Sequence, residues 1–278
     1  RNKRWEYWGV ITPTHIVSVT VSNIDYAAVP GFWIHDRRTG RTVDRGAVGA
    51  PWTATLPPSL GDGPARTRTG GLAIDLEDEP GGTRIRARAK GVEVDILAAA
   101  PDGHESLGVV VPWTPRRFQY TVKDVARPAA GWIEVDGDRT ELPADDSWAV
   151  LDHGRGRWRY NVRWNWAAAA GRTGGHVVGL QLGSKWTDGT GSTENAVVVD
   201  GRLHKISEEL DWSYDFDRPM APWRITGDSA ELELIPFHDH ASHTELGIIG
   251  TRGHQVFGTF RGWVDASGER IAVDGIEG

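Results

Sequence analysis

The sequence predicts an all-β protein, a sandwich or barrel of short antiparallel strands, and three observations predict it. The 35 glycines and 15 prolines are scattered so that no helical window longer than two turns survives. Between them lie short runs in which apolar and polar residues alternate, the period of a half-buried strand. Turn sequences punctuate these runs at Asp102-Gly103, Asp136-Gly137, Asp200-Gly201 and Ser267-Gly268.

Along the chain, "TRIRARAK" sets Arg84, Arg86, Arg88 and Lys90 on one face and Ile85, Ala87 and Ala89 on the other. "GVEVDIL" aligns Val92, Val94 and Ile96 in the same way. A soft boundary falls at "VARPAAG" (125–131), which divides the chain into an N-terminal β domain over 1–128 and a Trp-richer one over 129–278. No sequence repeat relates the halves. Alternation is sharpest from Trp158 to Trp166: Trp158, Tyr160, Val162, Trp164 and Trp166 share a face, against Arg159, Asn161, Arg163 and Asn165. A helical period would smear these aromatics around an axis, so a strand is expected. "AAAAG" (Ala167–Gly171) fits either a helical cap or a strand of small residues. "HVVGLQLG" reads as a strand, and "NAVVVDGRLHKI" as a tight hairpin.

Composition excludes several functions. A net charge of -7 argues against a nucleic-acid partner, because phosphate binding relies on an excess of Lys and Arg. No apolar run approaches the ~20 residues of a membrane span. With no cysteine, disulfides, thiolate zinc sites and thiol catalysis are excluded. That fits a reducing compartment, and the expected location is cytoplasmic. The chain opens on Arg1, which predicts a start inside a longer protein.

Three constellations could carry chemistry. In "LDHGRGRW", Asp152 and His153 point to opposite faces of a strand, with Arg155 and Arg157 following. Asp152 is in phase with Trp148 and Val150 and heads for an apolar face. Desolvation there raises a carboxyl pKa and makes a general acid usable near neutrality. The alternative is a buried Asp tying down a turn. The second is the Gly/Thr-rich loop "GSKWTDGTGSTENA", carrying Trp186, Asp188, Glu194 and Asn195, with His204 in the hairpin beyond. No "GK[ST]" follows and the EF-hand spacing is missed, so neither a phosphate cradle nor calcium is expected. A plain hydrogen-bonded loop is the competing reading. The third is "PFHDHASHTE": His238 and His240 share a strand face, and Asp239 and His243 could close a metal site, although histidines in a polar loop are more often solvated and no metal is assigned. Fourteen tryptophans add amphipathic plates that stack on sugars, line apolar cavities or stabilise carbocations. Trp164 and Trp166 beside Asn165, with Trp186, are the candidate walls.

Several blocks also carry a resemblance: "NKRWEYWGVITPTHIVSVTVSNIDY", "LDHGRGRWRYNVRWNWAAAAG", "GLQLGSKWTDGTGSTENAVVVDGRLHKI", "MAPWRI" and "HQVFGTFRGWV". In this order they resemble the bacterial and fungal family called domain of unknown function two-eight-zero-four. More distantly, "AVLDHGRG" is similar to the Asp-His element of a lipocalin-like superfamily that includes carotenoid hydratases and tocopherol cyclase. The resemblance implies two lipocalin-like antiparallel β-barrels packed side by side, with few short helices. It implies a ligand cavity near their interface and an acidic side chain that protonates alkenes among aromatics. On that analogy Asp152 is the proton donor and His153 or Arg155 orients it.

The expected function is therefore cofactor-independent acid–base chemistry, a hydration, isomerisation or cyclisation of a small or medium organic, isoprenoid or lipid-like molecule. Asp152 is the acid, Glu194 or Asp188 a second carboxylate, and Arg155, Asn165, Asn195 and His204 polar anchors. A glycoside-active enzyme is the alternative, with carboxylates about 5–5.5 Å apart for retention or about 6.5–9.5 Å for inversion. A non-catalytic carrier of a hydrophobic ligand is the third reading.

Overall fold

A computed structural model describes residues 2–246 and 249–278, with side chains described outside 243–246 and 249–251. Two curled antiparallel sheets account for nearly all of it, and among the described residues the only helices are single 3₁₀ turns at Pro51–Thr53 and Ala144–Asp146. The first sheet begins with β1 (Lys3–Ile11), β2 (His15–Asn23), β3 (Gly31–Asp36), β4 (Thr42–Gly46), β5 (Ala54–Thr55) and β6 (Ala65–Thr69). It continues through β7 (Leu72–Glu79), β8 (Gly82–Ala89), β9 (Val92–Ala99) and β10 (Leu107–Thr114). It ends with β11 (Arg117–Val135), β12 (Asp138–Leu142) and β13 (Trp148–Arg157). The second sheet comprises β14 (Asn165–Thr173), β15 (His176–Ser184), β16 (Asn195–Val199), β17 (Arg202–Ile206) and β18 (Asp211–Ser213). β19 (Trp223–Thr226), β20 (Ala230–Leu246), β21 (Ile249–Ala266) and β22 (Glu269–Glu277) complete it.

Strand order in the first sheet is β4-β3-β2-β1-β13-β11-β9-β8-β7-β6-β5, with β10 and β12 paired to opposite ends of β11. In the second it is β17-β16-β15-β14-β22-β21-β20-β19-β18. The chain passes from one sheet to the other once, between Arg157 and Asn165, and residue 128 lies inside β11.

The alternation does what it implies. Ile85, Ala87, Val94 and Ile96 are buried in the first core with Trp8, Phe32 and Ile133, while Arg86 and Arg88 are exposed and Arg84 is half-buried. Asp136-Gly137, Asp200-Gly201 and Ser267-Gly268 all adopt positive φ at both positions, the requirement of a tight type I′ hairpin. Ala167–Gly171 is strand, and its small side chains let β22 close against it: a methyl on Gly171 would press into Ile276. The segment 158–164 departs from the expected strand, because it joins neither ladder. Its side chains settle individually instead. Trp158 lies over Gly156 of its own approaching strand, Val162 packs against the cluster of Leu107, Val109, Val111, Trp186 and Ala196, and Trp164 is exposed.

Between the sheets runs a seam. Three apolar clusters cross it: Ile16, Trp33 and Phe257; Ala126, Trp148 and Ala170; and Val109, Val111, Trp186 and Ala196. Arg37 closes it with a two-pronged ion pair to Glu277, at 2.7 and 2.8 Å. Among the described residues no helix is long and apolar enough to cross a membrane.

Candidate functional site

The seam also buries charge. In the ladder, Tyr7 of β1, Asp152 of β13 and Lys123 of β11 stand directly opposite one another, so their side chains leave the first sheet on one face toward the second. Lys123 Nζ donates to Asp152 Oδ1 at 2.9 Å and lies 3.5 Å from Glu194 Oε2. Thr121 Oγ1 donates to the same Asp152 oxygen at 2.9 Å. Glu194 arrives from the loop before β16, its other oxygen accepting from the Trp186 indole N–H. Gly183 makes room, since a side chain there would collide with the Glu194 carboxyl. Trp166 presents its ring to Lys123, 4.7 Å from the ammonium, donates to Gln181 Oε1 at 2.9 Å, and meets Tyr7 edge-on at 5.6 Å. Gln255 Nε2 of β21 donates to the Tyr7 hydroxyl at 2.7 Å.

Burial sets the electrostatics. Desolvation pushes the Glu194 carboxyl up to about 7, against the opposing pull of Lys123 and the Trp186 hydrogen bond. For Lys123, desolvation lowers the pKa, but Asp152 and Glu194 outweigh it and hold the ammonium above its ordinary value. Desolvation likewise raises the Tyr7 phenol, its hydrogen bonds to Ser18 and Gln255 working the other way. Glu194 Oε2 is buried with no hydrogen bond among the described residues. The Asp152 side chain keeps 18% of its surface, so solvent touches the cluster at that point. Along the same face of β13, glycines at 154 and 156 leave bare backbone on which the Trp5 and Trp158 indoles lie. Those two rings meet edge-on at 5.5 Å, and Trp164 follows 5.9 Å from Trp158. Asp152 thus sits at the inner end of an indole wall that reaches the surface.

Of the residues singled out in the sequence, Asp152, Glu194, Trp166 and Trp186 come together here. His153 faces the opposite way, into the first core, where its Nδ1 lies 3.5 Å from Glu6 Oε2. Arg155 donates to the Pro58 carbonyl at 2.6 Å. Asp188 holds its own loop by accepting from the Lys185 amide, and Asn195 ties Gly183 to the Glu208 carbonyl. Asn165 is buried between Ser184 and Tyr214, and His204 meets Ser267. His238 stacks on His35 with centroids 3.7 Å apart, and His240 stacks on Trp33 and pairs with Asp44 at 3.0 Å. The side chain of His243 lies outside the described residues, and among those described no three His, Asp or Glu converge on a metal position. Sequence reasoning missed Lys123, Tyr7, Thr121 and Gln181. The available signal was the alternating polar series Gln119, Thr121, Lys123 on one face of β11, all three buried.

Two cavities lie at opposite ends of the first sheet and are not lined by this cluster. One, about 390 Å³, is bounded by Asn2, Arg4, Asn23 and Pro51; the other, about 150 Å³, by His15, Asp36 and Ile133.

Among solved structures the chain is similar to kievitone hydratase from Nectria haematococca, at 11% identity and TM-score 0.57 over 99% of this chain and 87% of that one. It is similar to CghA with Sch210972, at 12% identity and TM-score 0.62 over 99% and 86%. An AttH candidate from Nitrosomonas europaea matches at 14% identity and TM-score 0.55 over 100% and 91%. At such identities the likeness is one of fold, and the fold is lipocalin-like. No curated protein matches significantly. A family model does match, over residues 1–278, and the chain belongs to that family, described as a domain of unknown function (DUF2804).

Proposed function

We propose that the protein is a cofactor-independent acid–base enzyme that protonates an alkene of an isoprenoid or lipid-like molecule, leading to hydration, isomerisation or cyclisation. The observation that carries the reading is the buried Glu194 carboxyl, with a pKa of about 7, sharing one ammonium with the solvent-touching Asp152. The ligand lies along the indoles of Trp5 and Trp158 with its alkene at Asp152. Lys123 stays an ammonium and holds the two carboxyls on one cation, while Asp152, the carboxyl that solvent touches, delivers the proton and takes its replacement from water. The indole of Trp5, which lies against Gly154 on the Asp152 face of β13, stabilises the developing cation. Water attacks that cation and returns its extra proton to the Asp152 carboxylate, or a second alkene of the ligand closes a ring on it, or a neighbouring C–H gives the carboxylate its proton back. That kievitone hydratase shares the fold is in keeping with the hydration branch.

The test is incubation with farnesol or geranylgeraniol, followed by mass spectrometry. Gain of one water reports hydration, and an unchanged mass with altered retention reports isomerisation or cyclisation. Asp152→Asn is expected to lower turnover about 10²–10⁴-fold with the fold intact. Conversion by the Asp152→Asn variant at the full rate would refute the proton-donor role. Binding of these alcohols without any chemical change favours the carrier function instead.

A further inference from the structure

The end of the first sheet where β10 turns into β11 carries a surface that, Trp164 apart, the acid–base reading does not use. Residues 106–123 and 153–187 of this acidic chain contain seven arginines and no Asp or Glu. The fold brings them together. Arg117 donates to the Trp158 carbonyl, Phe118 pairs with Arg157 across the ladder, and Arg159 lies over the Trp113 ring at 5.5 Å. Arg116, Arg117, Arg157, Arg159 and Arg163 are all exposed there. None of these five guanidiniums meets a carboxylate among the described residues, whereas most other arginines of the first sheet are paired, as Arg66, Arg68, Arg84 and Arg86 are. Large apolar side chains stand beside the cations: Val110 is 57% exposed, Phe118 37%, and Trp164 51%. Val110, Phe118 and Arg157 share one face of the β10–β11–β13 ladder, and Arg159 and Trp164 stand beyond its edge beside Trp113 and Trp158, so charge and apolar surface crowd one end of the sheet.

A cationic rim around exposed aromatic and aliphatic side chains matches the interface of an anionic bilayer. Guanidiniums meet lipid phosphates there, and an indole sits at the level of the headgroups. The net charge of -7 repels an extended polyanion from the rest of the molecule, while a membrane touches only this end. We propose that this platform docks the protein peripherally on membranes rich in anionic phospholipid. The inference stands whether or not the seam is catalytic.

The experiment is co-sedimentation of the intact protein with vesicles of phosphatidylcholine containing about one third phosphatidylglycerol, against vesicles of phosphatidylcholine alone, at low and high salt. Each arginine at a lipid surface contributes about fivefold to partitioning. The variant Arg116→Ser/Arg159→Ser/Arg163→Ser is therefore expected to bind anionic vesicles about 10²-fold more weakly. Trp164→Ser, at an exposed position, is expected to remove the part of the binding that resists high salt. Circular dichroism on both variants verifies that the fold is kept. Equal partition onto the two vesicle types, or undiminished binding by the triple variant, would overturn the proposal. So would tighter binding to duplex DNA than to anionic vesicles.

Discussion

At Lys123 one ammonium faces two carboxylates where water is scarce, so its removal leaves like charges confronting each other. Lys123→Met is expected to cost about 3 kcal/mol at pH 8 in urea denaturation. The cost is expected to shrink toward pH 5, as a proton replaces the missing cation. Glu194 contributes its own slope. Its folded pKa of about 7 exceeds the ordinary 4.5, so between those values the folded state holds the extra proton. That stabilisation is fully present below about 4.5 and is lost as pH rises through 7. Glu194→Gln is expected to flatten stability against pH in this window, which thermal melts at pH 5, 6, 7 and 8 will read. At this scale Asp152 was legible because it falls in phase with apolar neighbours, and Trp186 and Glu194 because they crowd one loop. Lys123 and Tyr7 were not, because what makes them special is a partner from a strand far away in sequence.

β11 shows how an element aims a residue. Its pairing with β13 shifts register between Asp124 and Arg127, where Ala126 takes a positive φ. The bulge falls directly after Lys123, and a buried network fixes it. Asp124 accepts from Arg127 Nη1 at 2.7 Å and meets His104 Nε2 at 2.8 Å, while Arg127 also donates to the Ala98 carbonyl at 2.7 Å. Arg127→Met strips Asp124 of its cation and is expected to cost about 3 kcal/mol. Urea denaturation at pH 7 measures it, and the same variant is expected to slow any turnover by loosening Lys123. Elements were legible wherever alternation met a ladder, as in β8 and β9. The segment 158–164 has the strongest alternation in the chain, yet no neighbouring strand accepts its hydrogen bonds. Side-chain period describes a strand only when a partner completes it.

For the whole molecule the seam decides stability. His35 of β3 and His238 of β20 stack across it. Burial lowers the pKa of each below the ordinary 6.5; His35 lowers His238 further, His240 lowers both, Arg37 lowers His35, and Asp36 and Asp239 oppose. The unfolded chain therefore takes up protons first as pH falls through about 6.5, and the folded state loses ground below that value. The joint variant His35→Phe/His238→Phe keeps the stacked rings and is expected to lose less melting temperature than the parent between pH 7 and pH 5. Glu194 and its opposing slope are common to both proteins. The all-β class was legible in glycine, proline and period; the two-barrel arrangement came only through resemblance, because the contacts across the seam join residues as distant as Arg37 and Glu277. The single passage between sheets has a further consequence. Residues 158–164 belong to neither ladder and are flanked or punctuated by exposed Arg157, Arg159 and Arg163, so trypsin will nick there first. The two fragments will stay associated as a noncovalent pair, with Asp152 on one piece and Glu194 on the other.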